Sequence, residues 1–326
     1  MMRFCAPLLL FFSSLLADSL LAQQASPTFR IKADFIKVPV TVFDSRGKLI
    51  NTLTRDDFRL LDEGRERPIE NFVLDKAPIH VVLLLDVSGS LQEEIKEIRQ
   101  AAIRFASAFG PEDRIAILSF ADKITVLQPW TNRQKRIRKS LKKLKPGYRT
   151  ALWDALMQTS SKMLEQASGR KVIILLTDGL DNESYANYDD VIEDLVSSGV
   201  SLYIVSRTRL VLPKVAESNR VRFLNQVMKQ VLKEDKNFVD VYFREKETSM
   251  KHLAESTGGR VFFPERLVEL RSSYAQVARE LKNQYILTFA PPSVSDKRFR
   301  RIEVVCNQET SRIFHRRQYN WQSAGQ

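Results

Sequence analysis

The sequence predicts an α/β fold: a doubly wound, mainly parallel sheet with helices on both faces, flanked by a β-sandwich made from strands at the two ends of the chain. Three observations lead there. From Ile79 onward strands and helices alternate, the pattern of a parallel sheet covered by helices. Two of these strands, residues 80–85 and 172–176, are apolar almost without a break, as strands buried on both faces are. Outside residues 79–283 apolar residues recur instead with period two, the mark of strands with one covered face.

In chain order, residues 28–78 read as strands. Val38, Val40 and Val42 alternate with Pro39 and Thr41, and turns follow at Asp44-Ser45-Arg46-Gly47 and Asp62-Glu63-Gly64. Pro39 has no N–H for a ladder, which places its strand at a sheet edge. After the strand at 80–85, the residues Leu91, Ile95, Ile98, Ala102, Phe105 and Phe109 form one apolar helical face, ended by Gly110-Pro111. Residues 114–127 give one or two strands, 133–145 a short basic helix, and 151–166 a longer helix. A strand at 172–176, a helix at 191–196 and a strand at 201–205 continue the alternation.

Residues 208–246 interrupt it as a partly helical insertion. A helix at 250–256 ends on Gly258-Gly259, a strand follows at 261–263, and a last helix runs to about residue 283. Then Tyr285, Leu287 and Phe289 alternate, Pro291-Pro292 breaks the run, and Ile302, Val304 and Cys306 alternate again. Neither end has enough strands to bury a face alone. Residues 28–78 and 284–320 are therefore expected to pair into one discontinuous sandwich, with the α/β domain of residues 79–283 inserted between them.

The chain has 326 residues, of which 44% are hydrophobic and 28% charged, enough for a sizeable core and about two domains. Residues 1–22 have the order of a secretory signal: Arg3, an apolar run at 6–16, then Ala22. Asp18 interrupts the run short of the ~20 residues that a spanning helix needs. A secreted or periplasmic protein is expected, with no transmembrane segment in the mature chain. Cys5 leaves with the signal, so Cys306 has no partner for an internal disulfide. The net charge of +12 is unchanged by processing, because Arg3 and Asp18 cancel. An exported basic protein favours anionic partners, and nucleic acid is not expected among them.

Three fragments carry the chemistry, each where a strand ends, which is where doubly wound sheets bind ligands. They are Asp86-Val87-Ser88-Gly89-Ser90, the loop Gly147-Tyr148-Arg149-Thr150 with Thr150 at a helix start, and Thr177-Asp178-Gly179. Their carboxylates and hydroxyls are hard oxygen donors of the kind a small hard cation selects. Each fragment alone is also an ordinary turn or helix cap. All three in order, at the ends of apolar strands, are harder to read as turns.

The order Asp-x-Ser-x-Ser, loop Thr, Thr-Asp-Gly resembles the metal-ion-dependent adhesion site of von Willebrand factor A domains, over residues 79–283. The flanking strands resemble those of exported bacterial proteins related to that family. The resemblance implies a Rossmann-like domain whose Ser88, Ser90 and Thr150 touch a metal, with Asp86 and Asp178 binding it directly or through water. The implied ion is magnesium, with manganese or calcium as alternatives. The implied function is non-enzymatic adhesion to a protein ligand with an exposed Asp or Glu, or to another anionic surface. Two carboxylates about neutralise a divalent ion, leaving it electrophilic toward such a group. The alternatives are an accessory subunit of a larger assembly and a scaffold with no metal in use. The sequence departs from the family in its insertion and in Arg149, which either repels the cation or helps to hold an anionic ligand.

Enzyme readings find little support. Hydrolysis by Ser88 or Ser90 needs a base, and the three histidines, His80, His252 and His315, lie in a strand start, a helical run and an arginine cluster. Asp181, Asn182 and Glu183 are expected to cap or solvate their loop. In the basic helix, Ile137, Leu141 and Leu144 form an inward stripe under a dense positive face that includes Lys139, Lys142 and Lys143. That face either aids solubility or steers an acidic partner.

Overall fold

A computed structural model describes residues 35–88, 94–165, 167–218, 238–308 and 312–322. The expected signal at 1–22, the first strand residues from 28 to 34, Ser90 and residues 219–237 of the insertion lie outside that set. The first strands are β1 (Ile36–Phe43), β2 (Phe58–Asp62), β3 (Arg65–Arg67), β4 (Asn71–Leu74) and β5 (Ile79–Asp86). Then come α1 (Ile95–Ser107), β6 (Arg114–Phe120), β7 (Ile124–Thr131), α2 (Gln134–Leu141) and α3 (Leu152–Gln158), which a π-helical turn prolongs to Leu164. Next are β8 (Arg170–Thr177), α4 (Tyr188–Ser197), β9 (Ser201–Ser206), α5 (Thr208–Ala216), α6 (Phe238–Ser256), β10 (Val261–Phe262) and α7 (Glu269–Leu281). The chain closes with β11 (Tyr285–Phe289), β12 (Phe299–Cys306), β13 (Arg312–His315) and β14 (Gln318–Asn320).

The central sheet has the order β10-β9-β8-β5-β6-β7. Its neighbours run parallel except at the edge, where β7 lies antiparallel to β6. Because successive side chains in a strand point to opposite faces, β5 serves two cores at once. Val81, Leu83 and Leu85 join Phe105 of α1 and Tyr274 and Leu281 of α7 on one face. Val82 and Leu84 join Leu156 of α3, Leu195 of α4 and Leu253 of α6 on the other. The doubly wound expectation is met, and the apolar strand texts at 80–85 and 172–176 are the two most central strands.

The chain ends form two antiparallel four-stranded sheets, β13-β1-β11-β4 and β14-β12-β2-β3. Each mixes N-terminal with C-terminal strands: Val38 faces Leu287 across β1 and β11, and Leu60 faces Val304 across β2 and β12. Both sheets line one core that includes Val38, Val40, Leu60, Tyr285, Phe289 and Val304. Pro39 corrects the edge expectation, since β1 lies between β13 and β11. The exception has a local cause: β13 pairs with β1 only from Val40 onward, so no ladder partner from that side is required at Pro39. The insertion is helical on both sides of its undescribed part, and α6 runs unbroken into the helix expected at 250–256.

At the centre of the second sheet pair lies a fully buried carboxylate. Asp62 on β2 accepts Arg300 Nε at 2.9 Å and Nη2 at 3.0 Å, Arg67 Nη2 at 3.2 Å and Tyr319 Oη at 3.4 Å. Arg300 and Tyr319 come from β12 and β14, so this cluster ties the start of the chain to its end. Removing one partner of a buried pair strands the other charge in low dielectric. Asp62→Ala should therefore cost about 3–5 kcal/mol in urea unfolding. A loss of under about 1 kcal/mol, the scale of an exposed pair, would contradict that role.

Candidate functional site

The site stands at the carboxyl edge of the central sheet, where β5 and β8 end side by side. Their register pairs Leu85 with Leu176, so Asp86 lies level with Thr177 and Asp178 is one residue beyond. Asp86 is 1% exposed and Asp178 7%. Asp86 Oδ1 accepts the Ser88 amide at 2.9 Å and the Ser88 hydroxyl, and Oδ2 accepts the Thr177 hydroxyl at 2.7 Å. Ser88 thus spends its proton on Asp86 and keeps oxygen lone pairs for another partner. The Thr177 oxygen also accepts the Gly179 amide at 3.0 Å, so Thr177 orients the site from behind.

Burial, and next the charge of Asp86, lift the Asp178 carboxyl to about 6, while Arg207 acts in the opposite sense. Arg207 is itself held by Glu94, Nε to Oε2 at 3.0 Å, and reaches the Asp86 carbonyl at 3.5 Å. Among the described residues no lysine or arginine forms an ion pair with either site carboxylate.

Thr150 is brought to the same edge by backbone contacts. The Gly147 amide donates to Val87 O at 2.7 Å and the Ala151 amide to Ala121 O at 2.8 Å. The loop at 181–184 then clamps Thr150: its amide donates to Asn182 Oδ1 at 3.0 Å, and its carbonyl accepts the Asn182 and Glu183 amides at 3.0 and 3.2 Å. The helix-cap alternative for Thr150 does not hold. Instead Ser184 Oγ accepts the Trp153 and Asp154 amides at 3.0 and 3.1 Å, capping α3 from another loop. Thr150 is 4% exposed with its hydroxyl free of the capping role.

Asp86, Ser88, Thr150 and Asp178 therefore gather at one edge, and Ser90 is outside the described residues. Arg149 donates to Glu183 Oε1 at 2.7 Å, its side chain 64% exposed at the rim. Lys139 sits on α2 and Lys142 and Lys143 just beyond it, all exposed, above a stripe of buried Ile137, Leu141 and Leu144. Sequence reasoning missed Thr177 as an orienter, Asn182 and Ser184 as clamps, and Arg207. It also missed Tyr148 and Tyr185, both 100% exposed, on the two clamped loops. An Asn or Ser acting across loops leaves no periodic trace, although Asp181-Asn182-Glu183-Ser184 has the composition of a capping loop.

The histidines are used elsewhere. His80 meets Trp130 edge-on, His252 Nδ1 shares a 2.6 Å hydrogen bond with Tyr188 Oη, and His315 Nδ1 meets Arg316 O at 2.9 Å. Among the described residues no group of three or more His, Cys, Asp or Glu is placed to hold a metal. Any ion at this edge draws on hydroxyls as well as on two carboxylates.

The sequence family described as von Willebrand factor type A domain matches residues 80–256. No curated protein matches the chain. Among solved structures, the conserved hypothetical protein BatB from Bacteroides thetaiotaomicron is similar at 17% identity over 39% of this chain and 66% of that one, with a TM-score of 0.34. An aerotolerance-related membrane protein from Bacteroides fragilis is similar at 15% identity, over 62% of this chain and 99% of that one, TM-score 0.44. Proximal thread matrix protein 1 from the mussel byssus, with a zinc-occupied MIDAS motif, is similar at 18% identity over 70% of this chain and 50% of that one, TM-score 0.47. The chain thus spans about two thirds of the BatB chain and half of the byssal one.

The approach of the Thr150 loop to the Asp86 loop depends on Gly147. A Cβ built there falls 2.4 Å from the Ala121 Cβ, a contact that only backbone movement relieves. Gly147→Ala is expected to cost about 1–3 kcal/mol, the range for overpacking, and the double variant with Ala121→Gly should regain most of it. Equal unfolding midpoints for single and double variants would show that this contact does not set the loop.

Proposed function

We infer the function from one premise: this chain belongs to the von Willebrand factor type A domain family. Domains of that family are generally interaction modules, mediate contacts between proteins, and commonly hold a divalent metal at an adhesion site. The reading proposed for this chain is an exported, non-catalytic binding protein that grips an acidic group of a protein partner at the Asp86–Asp178 edge. Export rests on the signal-like order of residues 1–22. Among the described residues no helix is long and apolar enough to cross a membrane.

One observation carries the reading. Two carboxylates are buried at adjacent strand ends, and the charge of one raises the other's proton affinity. A fold tolerates such a like-charge pair at a cost, and a divalent cation would offset it. Ser88 and Thr150 add neutral oxygen donors, so the set fits a hard ion such as magnesium, with manganese or calcium as alternatives. Ser90 completes the proposed ligand set. When bound, the ion supplies an electrophilic centre for a partner carboxylate. The residues of the chain do the rest: Asp86 turns the Ser88 hydroxyl proton away from the site, Thr177 and the Leu180 amide hold the two carboxylates in place, and the loop at 181–184 holds Thr150.

The rim suits a docking surface. Tyr148 and Tyr185 offer rigid aromatic contact area of the kind that dominates interface energetics. Arg149 is proposed to meet the partner there, with Glu183 limiting its repulsion of the cation.

Asp178→Asn is the cleanest test, because an amide oxygen still accepts from Leu180 while one like charge disappears. Asp86→Ala would instead leave Ser88 and Thr177 without their acceptor. Without metal, Asp178→Asn should melt at or above the wild type. With millimolar manganese or magnesium, the wild type alone should gain, by the mass-action term. Identical wild-type melting in manganese and in chelator would end the metal reading.

The α2 face makes a separate kinetic claim. Lys139→Glu, Lys142→Glu and Lys143→Glu together should slow association with an acidic partner at low ionic strength and leave it nearly unchanged at high salt. An association rate insensitive to the reversal at low salt would reduce this face to a solubilising one.

A further inference from the structure

At the opposite edge of the central sheet, by the amino ends of β8 and β9, lies a cavity of about 600 Å³ between that sheet and the β13-β1-β11-β4 sheet. Strand β8 spans eight residues, so the cavity is roughly 20–25 Å from the Asp86 edge at ~3.3 Å per residue. Its volume falls within the range of small-molecule sites. Ile36, Val73, Val172, Val196 and Ile286 supply apolar wall, and Val73 is 44% exposed.

Four cations line the cavity, Lys37, Arg170, Lys171 and Arg316, against one carboxylate, Asp75. Asp75 is already taken: its Oδ2 meets Arg170 Nε at 3.0 Å and its Oδ1 accepts the Ala77 amide at 2.9 Å. Arg170 is taken as well, by Asp75, by Leu281 O at 2.6 Å and by Gln284 Oε1.

Arg316 is different. It is 8% exposed, its Nε is buried without a hydrogen-bond partner, and among the described residues no carboxylate pairs with its guanidinium. Burial pulls its pKa down to about 10, which still leaves it charged at neutral pH. Its Nη2 lies 4.0 Å from where a Cβ would stand on Gly199, itself a lining residue, so the guanidinium borders the open space. A guanidinium buried without a counter-charge is destabilising, and the five-donor fork is shaped for a planar carboxylate.

We propose that this cavity is a second binding site, for an organic carboxylate with an apolar tail, whose head group pairs with Arg316 and whose tail covers the Val73 and Ile286 wall. A lone guanidinium with no second free arginine beside it suits a carboxylate better than a phosphate, which needs more donors. Lys37, exposed at the cavity, attracts the anion without binding it in a fixed geometry. The site is independent of the metal reading, since it shares no residue with the Asp86 edge.

The experiment uses the full chain in excess chelator, so that no carboxylate binds through a metal. Thermal melts and calorimetry are run with acetate, hexanoate, octanoate and decanoate, with octanol and inorganic phosphate as separate arms. Affinity should rise about threefold to fourfold per methylene added, and octanol and phosphate should produce no comparable shift. Arg316→Met should melt higher than the wild type without ligand, because an uncompensated buried charge is gone, and should bind octanoate tenfold to a hundredfold more weakly. If octanol stabilises as well as octanoate, or phosphate better, the carboxylate assignment is wrong. If no carboxylate shifts the wild type, the site is refuted even should the Met variant fail to fold. Arg316→Lys, which keeps the charge and loses the fork, should bind with intermediate affinity; full retention would refute bidentate pairing.

Discussion

The proximity of two carboxylates, Asp86 and Asp178, is the constraint on which the carboxyl edge of the central sheet depends. Parallel pairing of β5 with β8 forces their ends level, and so sets the two acids side by side in a place that excludes water. Everything nearby accommodates that repulsion. Ser88 and Thr177 donate to Asp86, the Leu180 amide donates to Asp178, and Arg207 lowers the energy of Asp178 while committed to Glu94. None of these removes the like-charge contact. They hold it in one geometry, which is what a site for a cation needs before the cation arrives.

That geometry rests on a scaffold with two separate cores. The central sheet divides its apolar residues between two helical layers, so both faces of β5 are closed and its end cannot shift without disturbing each. The terminal strands form a third core of their own, joined through Asp62. Contacts such as Gln284 to Tyr203 Oη at 2.9 Å and Asn320 to Ser197 Oγ at 2.7 Å carry the terminal sheets against the α/β part. The guanidinium of Arg316, which no carboxylate pairs among the described residues, stands at that seam.

Much of this was legible in the sequence, because burial on both faces writes itself as an unbroken apolar run and a helix as a stripe of period 3.6. The strands at 80–85 and 172–176 and the α1 stripe from Ile95 to Phe105 could be read that way, and the pairing of the chain ends from period-two strands too few to bury a face alone. The strand of Pro39 could not, since its tolerance inside a sheet depends on where β13, far along the chain, begins to pair, at Val40 with His315. The α3 cap was equally hidden: Thr150 has the right residue type, but Ser184 on another loop takes the role. The site residues were visible as motifs at strand ends. Thr177 stood inside the third motif, although its donation to Asp86 did not show there, and the residues that act from other loops, Asn182 and Arg207, have no signal in local spacing.

The position a cation takes tests the proposed site most directly. Crystals of the wild type grown with manganese would give an anomalous difference map in which the ion marks itself without reference to any partner. A peak bounded by Asp86, Ser88, Thr150 and Asp178 is the result expected of the proposed site. A fully formed carboxyl edge with no peak there, or manganese bound only elsewhere, would contradict it.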